Sequence, residues 1–331
     1  MLAVLLGCFA LAGRSSNYGR DDLNFTRTLC LALALGGIEG SGNAGPLQLY
    51  TFGADGTGAP TSLNRMDPSS AASVTDVHTP VGDGNTGFNG GLVAVNNLLY
   101  GIGNNSSNFA TLYSFPTTGV GLSSVSSNFN TTGDATGFVF QNGLTAIGST
   151  FYAIGAGPTT EDLFQIGAGN ATLVEALNAL AGTYAGLAWD AAQSQFYAIV
   201  AGSTSVDFNG DFLVKFALGG PVQIVANLTS LDGAQVGTHF GGLYDAGGGI
   251  LYDIYTNPVT FTGELERINL NGSPSTTTLY DTQIPLAENA GIAGIVDSPE
   301  PAPAAMEISG LAMLSLSWAL RRAANKDARR S

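Results

Sequence analysis

The sequence of 331 residues predicts an all-β chain folded as a β-propeller of five blades. Three observations carry that expectation. A unit of about 50 residues recurs, its apolar and polar positions alternate between clusters of Gly, Asn, Asp and Ser, and each end of the repeated region holds half a unit that the other end completes.

The unit has three parts. The first is a glycine opening an apolar stretch: GLVAV from Gly91, GLTAI from Gly143, GLAWD from Gly186, GLYDA from Gly242 and GIAGIVD from Gly291, at steps of 52, 43, 56 and 49 residues. The second follows nine to eleven residues later and centres on tyrosine: Tyr100 in LLYGI, Tyr152 in TFYAI, Tyr197 in QFYAI and Tyr252 in ILYDI. The third opens with leucine at Leu49, Leu112, Leu163, Leu213 and Leu265. Three or four strands per unit is the content of one blade, and the glycine lets an inner strand come close to a crowded axis. Helix is scarce; TLVEALNAL, Thr172 to Leu180, reads as either helix or strand.

The order of the copies separates a closed ring from a β-sandwich or β-helix built of similar strands. The leucine part appears once at the front with no glycine part before it, and the glycine part appears once at the back alone. Joining them makes a last blade from Ile292 to Val296 and the strands of Leu49 and Thr61, which pairs edges that would otherwise template aggregation. The pattern is similar to that of extracellular propeller families with a Gly-Leu-Ala-x-Asp-like inner strand before an aromatic second strand; GLAWD at Gly186 with QFYAI is the nearest copy.

The repeat domain is assigned to residues 45–297, between two ends of another character. Leu29 to Ile38 is an apolar run after Arg27, and Gly42 and Ala44 follow at the spacing read by signal peptidase, so residues 1–44 are expected to be a signal segment cut after Ala44. The earlier apolar run from Met1 to Gly13 lacks a basic residue before it, which an over-extended start would explain. In the tail, residues 298–331, Ser298-Pro299-Glu300-Pro301 precedes seventeen mostly apolar residues, 304–320, and then Arg321 and Arg322. As a helix this stretch reaches about 25 Å, just short of a hydrocarbon core of about 30 Å. The arginines would hold its end on the cytoplasmic side and leave the domain outside.

The tail resembles the bacterial PEP-CTERM sorting signal, a Pro-Glu-Pro motif followed by a short apolar helix and an arginine cluster. That resemblance implies export, a transient anchor in the membrane, and recognition of Pro299, Glu300 and Pro301 by an exosortase-like membrane protease. Glu307 within the apolar run and AANKDARRS after the arginines depart from the pattern.

Composition narrows the partners. The net charge is −14, and between Gly45 and Glu300 there are 20 acidic residues against Arg65, Lys215 and Arg267. Such a surface repels phosphate backbones, which excludes nucleic acid as a partner and leaves cations, neutral glycans or other surface proteins. Cys8 and Cys30 both fall in the signal segment, so the mature domain would have no thiol chemistry.

The residues offer no convincing catalytic set. His78 and His239 are the only histidines; His239, in GTHFGGL, takes roughly the place of Phe88 or Tyr184 in other repeats and reads as a structural ring. Asp207, Asn209 and Asp211 stand at alternate positions, as oxygen ligands do at the start of a calcium loop, but without its distal glutamate, and a polar turn between strands accounts for them too. Asp190, Asp245 and Asp297 end inner strands and would ring the channel mouth, where they hold a cation or simply form turns. The expected function is therefore an exported surface or exopolysaccharide-associated protein with a non-enzymatic binding or structural role. The competing expectation is a Ca²⁺-dependent extracellular hydrolase working with the channel carboxylates.

Overall fold

The computed structural model describes residues 46–54, 60–77, 82, 84–140, 143–177, 182–205, 208–239, 241–285 and 291–296. The signal segment with Ala44, the tail with Pro299, Glu300, Pro301, Arg321, Arg322 and the expected helix 304–320, and His78, Asp207 and Asp297 lie outside these residues. Among the described residues no helix is long and apolar enough to cross a membrane.

Pro46 to Val296 form one compact unit of five antiparallel four-stranded sheets, a five-bladed β-propeller. The first blade holds β4 (Asn85–Val95), β5 (Leu98–Asn105), β6 (Ala110–Pro116) and β7 (Ser123–Ser126). The second holds β8 (Leu144–Ile147), β9 (Thr150–Ala156), β10 (Glu161–Ile166) and β11 (Ala171–Ala176). The third holds β12 (Thr183–Asp190), β13 (Gln195–Ser205), β14 (Phe208–Phe216) and β15 (Gln223–Asn227). The fourth holds β16 (Leu243–Gly247), β17 (Ile250–Thr256), β18 (Thr262–Asn269) and β19 (Ser275–Pro285).

The fifth blade is composite. Its inner strand β20 (Ile292–Val296) pairs antiparallel with β1 (Leu47–Ala54), followed outward by β2 (Pro60–Asp67) and β3 (Ser70–Asp76). The register runs from Leu47 opposite Val296 to Thr51 opposite Ile292, and the buried Thr51 hydroxyl donates to the Gly291 carbonyl at 2.7 Å. The closure expected from the two half-units is the one found, and it flanks β1 on both sides, with β20 as the inner strand of the blade.

The repeated glycines form the axis of the ring. Gly91, Gly143, Gly186, Gly242 and Gly291 all have positive φ, from 61° to 151°. A Cβ at Gly91 would meet Leu144 Cβ at 2.7 Å, one at Gly143 the Leu187 Cβ at 2.9 Å, and one at Gly186 the Leu243 N at 2.8 Å. One at Gly242 would meet Ile292 N at 2.6 Å, and one at Gly291 would meet Leu92 N at 2.6 Å. Each inner strand thus touches the next, and the fifth touches the first. Any side chain would collide with neighbouring backbone and force a left-handed conformation costly to L-residues, which is why this one position repeats as glycine.

The core lies between blades, in five separate layers. Phe52 and Leu63 pack on Phe88 and Phe115; Ile102 and Leu112 on Phe140 and Phe164; Ile154 and Leu163 on Tyr184 and Phe196; Ile199 and Leu213 on Leu243 and Leu251; Leu265 and Ile284 on Leu49 and Met66. Every blade is therefore buried on both faces.

Two local readings are settled by the structure. TLVEALNAL is a strand over Ala171–Ala176, because β10 offers an unpaired edge that backbone pairing fills. The helix among the described residues lies elsewhere: α1, Leu228–Asp232, is capped by Asn227, whose side chain accepts from Ser230 N, and is ended by Gly233 at φ 75°.

Candidate functional site

Among the described residues, the fourth blade alone carries a buried cluster of His, Asp and Glu. Asp253 on β17 and Glu266 on β18 stand directly opposite each other in the ladder, and both are fully buried. Two like charges at facing positions repel, and burial away from water raises the cost of each. His239, in the connection from β15 to β16, is also fully buried and inserts beside them. Its Nδ1 lies 2.5 Å from Asp253 Oδ2, and its Nε2 lies 3.0 Å from Oδ2 of Asp232 at the end of α1. One oxygen of Glu266, one of Asp232 and one ring nitrogen of His239 fall within 4.8 Å of one another.

Asp211 builds the connection that presents His239. Its Oδ1 accepts the backbone N–H groups of Gly202 and Gly237, each at 2.7 Å, and its Oδ2 those of Thr238 at 3.0 Å and His239 at 3.3 Å. Its own N–H donates to Thr229 Oγ1 in α1 at 2.9 Å. Asp211 thus ties two pieces to the third blade, α1 through its backbone N–H and the segment 237–239 through its buried carboxylate, which satisfies four amides that would otherwise lack partners.

The electrostatics follow from burial. Burial works to lower the His239 pKa, but the contacts with Asp232 and Asp253 outweigh it and push the value up to about 10. Glu266 is pushed up to about 8, first by burial and then by the charge of Asp253. Asp253 is also raised by burial, against the opposing effect of the His239 bond. Without another cation, the cluster is held together by protons.

Several buried polar atoms stay unsatisfied. His239 Nε2, Asp232 Oδ2, Asp253 Oδ1 and both oxygens of Glu266 are buried and lack a partner in good hydrogen-bond geometry. The contact between Nε2 and Asp232 is close without being directed.

Comparison among the blades shows how unusual this is. The place of His239, Asp253 and Glu266 is taken in the first blade by Phe88, Gly101 and Tyr113, with the rings of Phe88 and Tyr113 6.0 Å apart edge to face. In the second blade it is taken by Phe140, Ala153 and Phe164, with rings 5.3 Å apart, and in the third by Tyr184, Ala198 and Val214. An apolar layer has been replaced by three ionisable groups. Read singly, His239 looks like a ring among rings; the signal lies in the joint appearance of Asp253 after Tyr252 and Glu266 after Leu265, where other copies carry small or apolar residues.

The residues first considered for binding are spread out. Asn209 is exposed and pairs with Thr204 in the ladder, whereas Asp211 is buried and occupied by four amides, so the two do not converge. Asp190 and Asp245 stand on adjacent inner strands, four residues after Gly186 and three after Gly242, Asp190 at the end of β12 and Asp245 within β16. Asp190 Oδ1 accepts from Ala192 N and Gln193 N, and Asp245 Oδ1 from Gly247 N, as turn-forming aspartates do. Burial raises the Asp245 pKa, and the charge of Asp190 adds to the effect.

The channel itself is narrow. Its cavity of about 170 Å³ is lined by the inner strands, including Ala94, Ala146, Trp189, Tyr244 and Asp245. The Tyr244 ring lies over Gly294, where a Cβ would meet it at 2.2 Å. Sites for small organic ligands are about 300–1,000 Å³, so the channel suits water or an ion better than a sugar.

No protein-family model and no curated protein sequence matches the chain. Among solved structures, the chain is similar to one in a nidogen/laminin complex, with 12% identity over 76% of this chain and 99% of that one and a TM-score of 0.46. It is also similar to TolB from Acinetobacter baumannii, at 12% identity over 80% and 70% of the two chains and a TM-score of 0.43. A third likeness is to an α-L-arabinofuranosidase from Clostridium thermocellum, at 12% identity over 67% and 83% and a TM-score of 0.47.

Proposed function

We propose that the chain is an exported bacterial surface protein whose propeller has a non-enzymatic binding or structural role, with polysaccharide or another surface protein as its partner. The tail from Ser298 to Ser331 is the sorting signal, and an exosortase-like protease that reads Pro299, Glu300 and Pro301 is the processing partner. The observation that carries this reading is the position of the ring closure. β1 begins at Leu47 and β20 ends at Val296, so a cut after Ala44 and another in the sorting motif would leave every strand of the five blades in place.

The channel supports a binding or structural role over hydrolysis. Asp190 and Asp245 each spend an oxygen on turn amides, and the cavity of about 170 Å³ is small for a sugar. Ligands of glycan size would instead meet the acidic outer surface.

Retention of the purified propeller on a glycan array and on isolated extracellular matrix tests the role. Saturable retention by either is expected. Failure on both, together with glycan-cleaving activity lost in Asp190→Ala and Asp245→Ala, would replace the proposal by the hydrolase.

A further inference from the structure

We propose that Asp232, His239 and Glu266 form a binding site for a divalent transition-metal ion, with Asp253 as the residue that orients the imidazole. The donor set is one nitrogen and carboxylate oxygens from α1, from the connection between β15 and β16, and from β18. Imidazole favours zinc, cobalt, nickel, copper or iron over calcium, magnesium and manganese.

Four observations converge on the same point. The three donors lie within 4.8 Å of one another, a triangle that closes on an ion at about 2.0–2.2 Å with small side-chain shifts. Glu266 and His239 are fully buried, and the atoms they turn toward this point have no well-directed hydrogen bond, Thr276 giving Glu266 only a looser polar contact. Asp253 Oδ2 sits 2.5 Å from His239 Nδ1, so in the neutral ring Nδ1–H donates to Asp253 and the lone pair of Nε2 faces Asp232 and Glu266. The first two blades pack aromatic rings at the matching place, so the fold itself does not demand charge there.

The charges also fit. Asp232, Asp253 and Glu266 bring three carboxylates into one buried site, and Arg65, Lys215 and Arg267 are the only Arg and Lys residues between Gly45 and Glu300. None of these three makes an ion pair with the cluster among the described residues. A divalent ion would replace the proton on His239 Nε2 and neutralise facing carboxylates that otherwise repel. The side chain of Asp232 is 3% exposed, so an ion would reach the site by displacement of α1.

The test uses the full chain, stripped with EDTA and titrated separately with Zn²⁺, Mn²⁺, Co²⁺ and Ca²⁺ by calorimetry. One equivalent of Zn²⁺ or Co²⁺ should bind with release of a proton and more tightly than Mn²⁺ or Ca²⁺, and the Co²⁺ form should show visible bands without thiolate charge transfer. Glu266→Gln, isosteric with the protonated acid, should keep the metal-free melting temperature within a few degrees and lose at least 100-fold in affinity. Asp253→Asn should lose about 10- to 100-fold, the range for partners that orient a metal-bound histidine. The proposal is overturned by absence of saturable transition-metal binding in the folded native chain, or by preference for Ca²⁺. Unchanged affinity in Glu266→Gln, or a Co²⁺–thiolate band that places the ion on Cys8 or Cys30, would overturn it equally.

Discussion

Replacing Gly186 by alanine probes the contact on which the ring depends. At φ 61° the residue is left-handed, which costs an L-residue about 1–2 kcal/mol. The added Cβ would stand 2.8 Å from Leu243 N, 2.9 Å from Leu243 Cβ and 3.0 Å from Gly242 C, all on the next inner strand, where overpacking costs about 1–3 kcal/mol more. Gly148 is the control: its φ is 62°, yet a Cβ there would meet nothing within 4 Å. Gly148→Ala pays the conformational term alone, and Gly186→Ala pays both, a total of about 2–5 kcal/mol. At about 2–4 °C per kcal/mol for a domain of this size, Gly186→Ala should melt about 4–20 °C below the parent and clearly below Gly148→Ala. Circular-dichroism melts of the three proteins decide it, and equal melting temperatures for the two variants would refute close approach of the inner strands.

Other expectations concern the fourth blade and the seam. In metal-free protein, His239 with its pKa near 10 adds stability that is complete below pH 6.5 and lost as pH rises toward 10. Glu266, raised to about 8, destabilises the fold above that pH and is relieved as pH falls toward 4.5; both effects make the melting temperature drop from pH 6 to pH 10, and a rise over that interval would contradict the assignment. Asp211→Asn puts a donor where an acceptor served two amides, at about 1.5–3 kcal/mol for each charge-assisted bond lost, and hydrogen exchange should report faster amides at Gly237, Thr238 and His239. Ending the chain at Pro285 removes β20 and bares the edge of β1, so light scattering should show association absent from the full chain.

The architecture was legible because its constraints repeat. Gly91, Gly143, Gly186, Gly242 and Gly291 satisfy one steric demand five times, and the unmatched half-units at Leu49 and Gly291 mark the seam where β1 meets β20. The buried cluster was less legible because its members are non-local: Asp232, His239, Asp253 and Glu266 come from four elements, and only the cross-strand register of β17 and β18 sets the two carboxylates face to face. Asp211 shows the same limit. Its alternate spacing with Asp207 and Asn209 suggested a cation loop, but β14 already begins at Phe208, and the carboxylate turns inward to backbone amides. Asp190 ends its inner strand as expected, whereas Asp245 lies two residues before the end of β16, and each spends an oxygen on turn amides.

Export with processing at both ends, as proposed, would leave the closed ring intact. Mass spectrometry of the protein recovered from the surface of producing cells, with and without the exosortase-like protease, tests it most directly. An N-terminus at Gly45 and a C-terminus within the Ser298–Pro301 motif are expected when the protease is present, and a retained, membrane-held tail when it is absent. A chain recovered from the cytoplasm with both 1–44 and 298–331 still attached, whether or not the protease is present, would contradict it.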